Sequence, residues 1–200
     1  MTLSVLPWAL LGYLSGSIPF GYVLTRLFAG RDIRQEGSGN IGATNVSRTL
    51  GWTGGAATMA LDVAKGAVPV ALAAHFHPHP LAAGAAGLGA VLGHCYPLFL
   101  GFRGGKAVAT SLGVFLVLAP LPCAAAAAVF AGTILLTRYV SLGSILAAVS
   151  FPFLLLLFGK PEPTAVMAAC VAGLIVWRHR ENIGRLIRGE ERKFTGRKER

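Results

Sequence analysis

The chain has 200 residues, 54% of them hydrophobic and only 13% charged, with a mean hydropathy of +0.63. A soluble domain carries roughly 25% charged residues, so the composition excludes one and indicates an integral membrane protein. The formal net charge of +10 gathers between Arg26 and Arg48, at Arg103 and Lys106, and from Arg178 onward. Short basic clusters at the ends of apolar stretches mark cytoplasmic membrane ends. With no aromatic-rich polar domain between them, they argue against nucleic acid as a partner.

Apolar stretches occupy residues 3–25, 53–76, 81–102, 107–137, 140–159 and 164–177. No basic residue precedes the first, so it is predicted to be a permanent span rather than a cleaved signal peptide. A crossing needs about 20 helical residues, and 107–137 as one helix would extend roughly 45 Å. Pro120 and Pro122 near its middle predict two shorter helices, because proline ends helices and disfavours helical geometry just before it.

The basic loop around residues 26–48 and the basic C-terminal segment should share the cytoplasmic side, which requires an even number of crossings between them. The expected fold class is therefore an all-α integral membrane protein. It is a polytopic bundle of about seven transmembrane helices with the N-terminus outside and the C-terminus cytoplasmic. Five spans, with 140–177 entering once, satisfy the same parity. Residues 1–200 read as a single domain, with 178–200 as a cytoplasmic basic tail.

Two features read as structural. The run His75-Phe76-His77-Pro78-His79-Pro80 has no carboxylate or cysteine to complete a metal site and is expected to be an outward-facing turn. Cys95, Cys123 and Cys170 form no C-x-x-C pair and are expected to be buried thiols. No metal and no cofactor is expected.

Three segments are too polar and glycine-rich for lipid, and all fall on the predicted cytoplasmic side. The first is a loop containing Gly37, Ser38, Gly39, Asn40, Thr44, Asn45, Ser47 and Arg48. Its letters Gly37-Ser38-Gly39-Asn40-Ile41-Gly42 fit the G-x-G-x-x-G dinucleotide fingerprint, with Asp62 twenty positions on. The context does not fit, because these glycines follow a membrane span rather than a strand. The second segment, Gly101 to Ser111, holds Arg103-Gly104-Gly105-Lys106. Leu100 and Ala107 stand where a Walker A loop needs Gly and Ser or Thr, so an anion cradle of unspecified kind remains. The third carries His179, Glu181 and Asn182, and on a helix His179 and Asn182 would share a face.

Asp62 and Lys65 are three apart inside an apolar stretch and could pair on one helix face. A structural pair and a site wall both fit, since ionisable residues within the membrane turn toward the interior or a polar cavity. His94, at the end of the third stretch, reads as a hydrogen-bonded packing residue.

These motifs together resemble the bacterial acyl-phosphate:glycerol-3-phosphate acyltransferases of the PlsY type. The resemblance rests on Gly16-Ser17-Ile18-Pro19-Phe20-Gly21, on residues 37–48, on Leu61-Asp62-Val63-Ala64-Lys65-Gly66, on Gly93-His94, on residues 101–110, and on His179-Arg180-Glu181-Asn182-Ile183. It implies a multi-pass enzyme of the bacterial inner membrane with its active site at the cytoplasmic face. The implied reaction moves a fatty acyl group from acyl phosphate to the 1-hydroxyl of sn-glycerol 3-phosphate, giving lysophosphatidic acid and phosphate. Acyl phosphate, glycerol 3-phosphate, membrane lipid and the enzyme that makes acyl phosphate are the implied partners.

The resemblance assigns catalysis to Ser38, Arg48, His179 and Asn182. Substrate binding falls to Gly37, Gly39, Asn40, Thr44, Asn45, Gly104, Gly105 and Lys106. Asp62, Lys65, His94, Arg103 and Glu181 are expected in support.

The H-x-x-x-x-D dyad of other glycerolipid acyltransferases is absent, because Phe99 and Gly184 stand five residues after His94 and His179. The base is His179, whose ordinary pKa of about 6.5 suits the task, or the donor's own phosphate. The rival class is a transporter of a small anionic phosphate or carboxylate metabolite, since broken glycine-rich helices also build transport sites. Polar motifs gathered at one face argue against it.

Overall fold

The computed structural model describes residues 5–77 and 79–194. Among these residues it is all-helical, and they divide into two compact units, those up to 117 and those from 118.

The first unit opens with α1 (Leu6–Ser17) and α2 (Phe20–Ala29). The sequence predicted one span over 3–25, and the structure corrects this: the run breaks at Ile18-Pro19. Proline has no N–H to continue the ladder and drives the preceding residue extended, as Ile18 is at φ −65°, ψ 115°. Leu3 lies outside the described residues. After a 3₁₀ turn at Ile33–Gln35 comes α3 (Ala43–Phe76), interrupted at Gly51 (φ 76°). The predicted loop around Thr44, Asn45, Ser47 and Arg48 is thus helical over 43–50, and only residues up to Gly42 are loop.

The unit closes with α4 (Pro80–Cys95), a 3₁₀ turn at Leu98–Leu100 and α5 (Val108–Leu118). Residues of α1 and α4 meet through small side chains. A Cβ on Gly12 or Gly16 would strike the carbonyls of Ala86 or Ala90, and one on Gly89 or Gly93 would strike those of Ala9 or Tyr13. Small residues at such spacing let membrane helices approach backbone to backbone, where dispersion and close packing replace a hydrophobic driving force. Gly66 of α3 and Gly113 of α5 meet the carbonyls of Thr110 and Val63 in the same way.

The second unit contains α6 (Pro120–Thr137), α7 (Val140–Leu157), α8 (Glu162–Arg178) and α9 (Arg180–Ile187). The long apolar stretch divides where proline predicted, with α5 ending at Leu118 and α6 starting on Pro120. Helices α3, α4 with its 3₁₀ extension, α6 and α7 have the length and apolarity of full crossings, and α5 is a shorter apolar helix. The remaining expected spans correspond to α1, of 12 residues, and α8, of 17.

Cys95 and Cys123 are buried as expected, but Cys170 is exposed. Apolar sequence around it marks a helix whose outer face needs no protein cover in lipid. His77 and His79 serve the turn between α3 and α4: His77 Nδ1 accepts from the His79 N–H at 3.2 Å and His79 Nδ1 from the Leu81 N–H at 3.3 Å. Pro78 between them lies outside the described residues.

Candidate active site

The first polar segment is organised by one side chain. Asn45 is buried, and its Oδ1 accepts from the Ser38 N–H at 2.9 Å. Its Nδ2 donates to the carbonyls of Glu36 and Asn40, each at 2.9 Å, and Ile33 at 3.3 Å. An amide can both donate and accept, which is why asparagine can close a loop on itself. Gly37 and Gly39 take φ of 56° and 69°, the left-handed region that side chains disfavour. Asn40 Oδ1 then accepts from the Gly42 N–H at 2.8 Å just before α3 begins.

Asp32 and Arg34 form a fork-like pair with distances of 2.6 to 3.2 Å. These hydrogen bonds hold the Asp32 carboxyl below the usual range. Ser38 is exposed, whereas Asn40, Thr44 and Arg48 are half-buried, and Thr44 and Arg48 share a face of the 43–50 helix. Of the predicted residues, Gly37, Ser38 and Asn40 therefore gather around the Asn45 amide, Gly39 packs beside the Arg34 carbonyl, and Thr44 and Arg48 lie on the helix that carries Asn45. Asn45 itself is committed to holding the loop.

The second assembly is buried among α1, α3, α4 and the glycine loop. Lys65 Nζ lies 2.8 Å from Asp62 Oδ1 and donates to the Ile18 carbonyl at 2.8 Å. Because Pro19 broke the helix, that carbonyl otherwise accepts from the Phe20 N–H at 3.2 Å and keeps a lone pair for Lys65. Asp62 Oδ1 also lies 3.9 Å from His94 Nδ1, and the three side chains are at most 4% exposed. His94 in turn carries the glycine loop. The Gly105 N–H donates to the His94 carbonyl at 3.0 Å and the Gly104 N–H to the Cys95 carbonyl at 3.2 Å, using acceptors that the end of α4 leaves open. A Cβ on Gly105 would collide with His94 Nε2.

Phe102 and Ala107, at φ 63° and 59°, bracket this loop in the left-handed region. Non-glycine residues are rarely held there, and such positions cluster at functional sites. Lys106, half-buried, follows directly and leads into α5, while Arg103 is exposed. Among the described residues, the buried hydroxyls of Thr110 and Ser111 in the first turn of α5 have no hydrogen-bond partner.

In the second unit His179 sits at the junction of α8 and α9 and is buried. Its Nδ1 lies 2.8 Å from the Ile175 carbonyl. A carbonyl only accepts, so the proton of this pair is on Nδ1, and whenever the ring is neutral its lone pair is on Nε2. Asn182, also buried, donates from Nδ2 to Glu191 Oε1 at 2.6 Å. Glu181 is exposed beside Arg180. His179 and Asn182 thus lie one helical turn apart, as the spacing predicted.

Three participants escaped the sequence reading. The Ile18 carbonyl was signalled by Pro19, whose consequence for the residue before it is general. Arg185 closes the third polar segment without a role of its own, and Glu191 lies in the cytoplasmic basic tail. Arg185 Nε and Glu191 Oε2 meet at 2.7 Å, and the Glu191 side chain is 8% exposed.

The fold and these assemblies define a class: an all-helical integral membrane protein with glycine-rich, basic polar segments at the ends of its helices. The chain belongs to the glycerol-3-phosphate acyltransferase family, which its residues 6–189 match. Glycerol-3-phosphate acyltransferase of Geotalea daltonii is 50% identical over 182 residues, covering 91% of this chain and 93% of that protein. The Myxococcus xanthus protein of the same name is 49% identical over 186 residues, covering 92% and 97%. Two crystal structures of PlsY, an integral membrane glycerol 3-phosphate acyltransferase, superpose on this chain. The glycerol 3-phosphate form has a TM-score of 0.91 at 43% identity, and the lysophosphatidic acid form 0.88 at 42%. Each covers 96% of both chains.

Proposed function

We propose that this chain is a membrane glycerol-3-phosphate acyltransferase that takes its acyl group from acyl phosphate and delivers it to the 1-hydroxyl of sn-glycerol 3-phosphate. The products are lysophosphatidic acid and inorganic phosphate. The observation that carries this reading is the Gly104-Gly105-Lys106 loop, hydrogen-bonded to the end of α4 beside the buried Asp62–Lys65 pair. The half-buried Lys106 ahead of the start of α5 supplies a counter-charge for a phosphate, and anchoring its loop in advance lowers the cost of ordering it around the anion. No relative or structural neighbour supports the transporter alternative.

The hydroxyl oxygen attacks the acyl carbonyl carbon, the new C–O bond forms, and the bond from carbon to the phosphate oxygen breaks with its electron pair leaving on phosphate. The mixed anhydride is already activated, so holding the reactants in line supplies much of the acceleration. Arg48 and Lys106 neutralise the phosphates, and Ser38 and Asn182 hydrogen-bond the reacting oxygens. His179 Nε2 is the lone pair suited to take the hydroxyl proton. The departing phosphate is the competing acceptor of that proton.

The polar segments belong at the cytoplasmic face of the bacterial inner membrane, with the N-terminus outside. The basic clusters support this placement. Both compact units serve as one acyltransferase domain, and the enzyme that makes acyl phosphate is the expected supplier of its donor.

The test is donor choice. Purified protein should form lysophosphatidic acid from glycerol 3-phosphate with acyl phosphate, and should form none with acyl-CoA or acyl carrier protein. Product from acyl-CoA alone would overturn the assignment of the donor.

A further inference from the structure

Helix α3 does not run straight. At Gly51 the backbone takes φ 76° and ψ −174°, a region essentially reserved for glycine, and a Cβ there would meet no atom within 4 Å. Glycine is therefore needed at this position for its conformation and not for room. The consequence is a reversal of the chain. A Cβ on Gly55 would lie 2.6 Å from Ser47 Cβ and 3.2 Å from the Ala43 carbonyl oxygen. In an unbroken helix residues 43 and 55 would stand about 18 Å apart along the axis. The helix over 43–50 is thus folded back onto Gly54 and Gly55, with Leu50 against Gly54.

This fold-back orients a short helix whose other faces are already assigned. Ala43, Ser47 and Leu50 meet the two glycines. Val46 is buried with Ile33 and Ile41, and Asn45 holds the Ser38 loop. With 3.6 residues per turn, Thr44 and Arg48 fall together between the Ser47 and Asn45 faces, and both are half-buried. The seat on Gly55 therefore sets the height and rotation of the side that carries Arg48. Ser47 makes that contact through its Cβ, because its Oγ donates to the Thr44 carbonyl of its own helix at 2.9 Å.

We propose that Gly51 and Gly55 are positioning residues: the reversal at one and the seat on the other place Arg48, with Thr44, against a substrate phosphate. The inference rests on the reading of Arg48 as a phosphate-contacting residue. Neither glycine touches a reacting group, and both act through the placement of the 43–50 helix.

The experiment uses the full chain in detergent, with acyl phosphate and glycerol 3-phosphate, at a temperature well below the melting point of every variant. There a merely structural defect leaves kcat and KM per folded molecule unchanged. Gly55→Ala should lower kcat/KM for glycerol 3-phosphate by about tenfold to 10²-fold, since misplacement by about 1 Å costs up to the larger figure. Gly51→Ala, which denies the reversal, should lose at least as much. Gly55→Ala combined with Ser47→Gly moves the Cβ from one side of the contact to the other and should return kcat/KM to within about threefold of the parent. As a control, Gly132→Ala on α6 adds a Cβ that meets no atom within 4 Å and should stay within about twofold.

The proposal is overturned if folded Gly55→Ala keeps the parent's kcat/KM, if Ser47→Gly brings no recovery, or if Gly132→Ala loses as much. Should Gly51→Ala fail to give monodisperse protein, the Gly55 and Ser47 exchange decides alone. An Arg48→Ala enzyme with full activity instead overturns the reading of Arg48, and the positioning with it. A parent chain that forms no lysophosphatidic acid overturns the acyltransferase reading itself.

Discussion

Replacing Lys65 by Met removes one partner of a buried ion pair and leaves the other. The Asp62 and Lys65 side chains are 3% and 2% exposed, and their charged atoms are 2.8 Å apart. Removing one member of such a pair costs about 3–5 kcal/mol, because the remaining charge stays buried without compensation. For a chain of this size each kcal/mol lowers the melting temperature by about 2–4 °C, so Lys65→Met should melt about 6–20 °C lower. The double variant Asp62→Leu, Lys65→Met removes both charges in similar volume and should recover most of the loss. It should retain a deficit of about 1–3 kcal/mol, since the Ile18 carbonyl has still lost its 2.8 Å donor. Thermal unfolding of the three proteins in one detergent measures this directly. A Lys65→Met protein that melts with the parent, or a double variant less stable than the single one, would refute the assignment of the pair as a buried anchor.

Gly105→Ala places a methyl group against the His94 ring. Overpacking of that kind costs about 1–3 kcal/mol and should raise the KM for glycerol 3-phosphate more than it lowers the melting temperature; steady-state kinetics beside a melting curve checks it. Lys106→Ala should raise the same KM strongly in monodisperse enzyme, and an unchanged KM would remove Lys106 from the phosphate site. His179→Ala should lower kcat about 10²-fold or more if Nε2 is the base; a loss of only a few-fold would favour proton transfer to the departing phosphate.

Glu191 makes a prediction in pH. Burial raises its pKa, but hydrogen bonds from Asn182, Ser141 and Arg185 outweigh burial and hold it below the ordinary value of 4.5. A carboxyl depressed on folding contributes its full stability above the ordinary value and loses it as pH falls through the folded one. The Phe194 N–H donates to the Arg138 carbonyl at 2.7 Å. Hydrogen exchange at this amide, corrected for intrinsic rate, should stay protected down to about pH 4.5 and lose protection below it, with no such step in Glu191→Gln.

What could be read in advance depended on how local its cause was. The break between α5 and α6 followed from Pro120 alone. The break at Ile18-Pro19 has the same cause but was masked by apolar residues continuing to Leu24, which suggested one span. Asp62 and Lys65 were placed on one helix face by their spacing, but the Ile18 carbonyl and His94 that complete the network come from other helices, which spacing along one helix cannot reveal.

In the Gly37-Ser38-Gly39-Asn40-Ile41-Gly42 run Gly37 and Gly39 do make tight turns at positive φ, whereas Gly42 is extended at φ −81°. The residue organising them is Asn45, whose role depends on three carbonyls converging in space. Glu191 was hidden because a carboxylate among arginines and lysines reads as surface charge until the chain is seen to fold back.

The central claim is acyl transfer from acyl phosphate to glycerol 3-phosphate. It is tested most directly by following phosphate and lysophosphatidic acid together in purified enzyme supplied with both substrates. The two products should appear one for one, and phosphate release should stop when glycerol 3-phosphate is withheld. Release that continues without the acceptor, or lysophosphatidic acid formed without phosphate, would contradict the account.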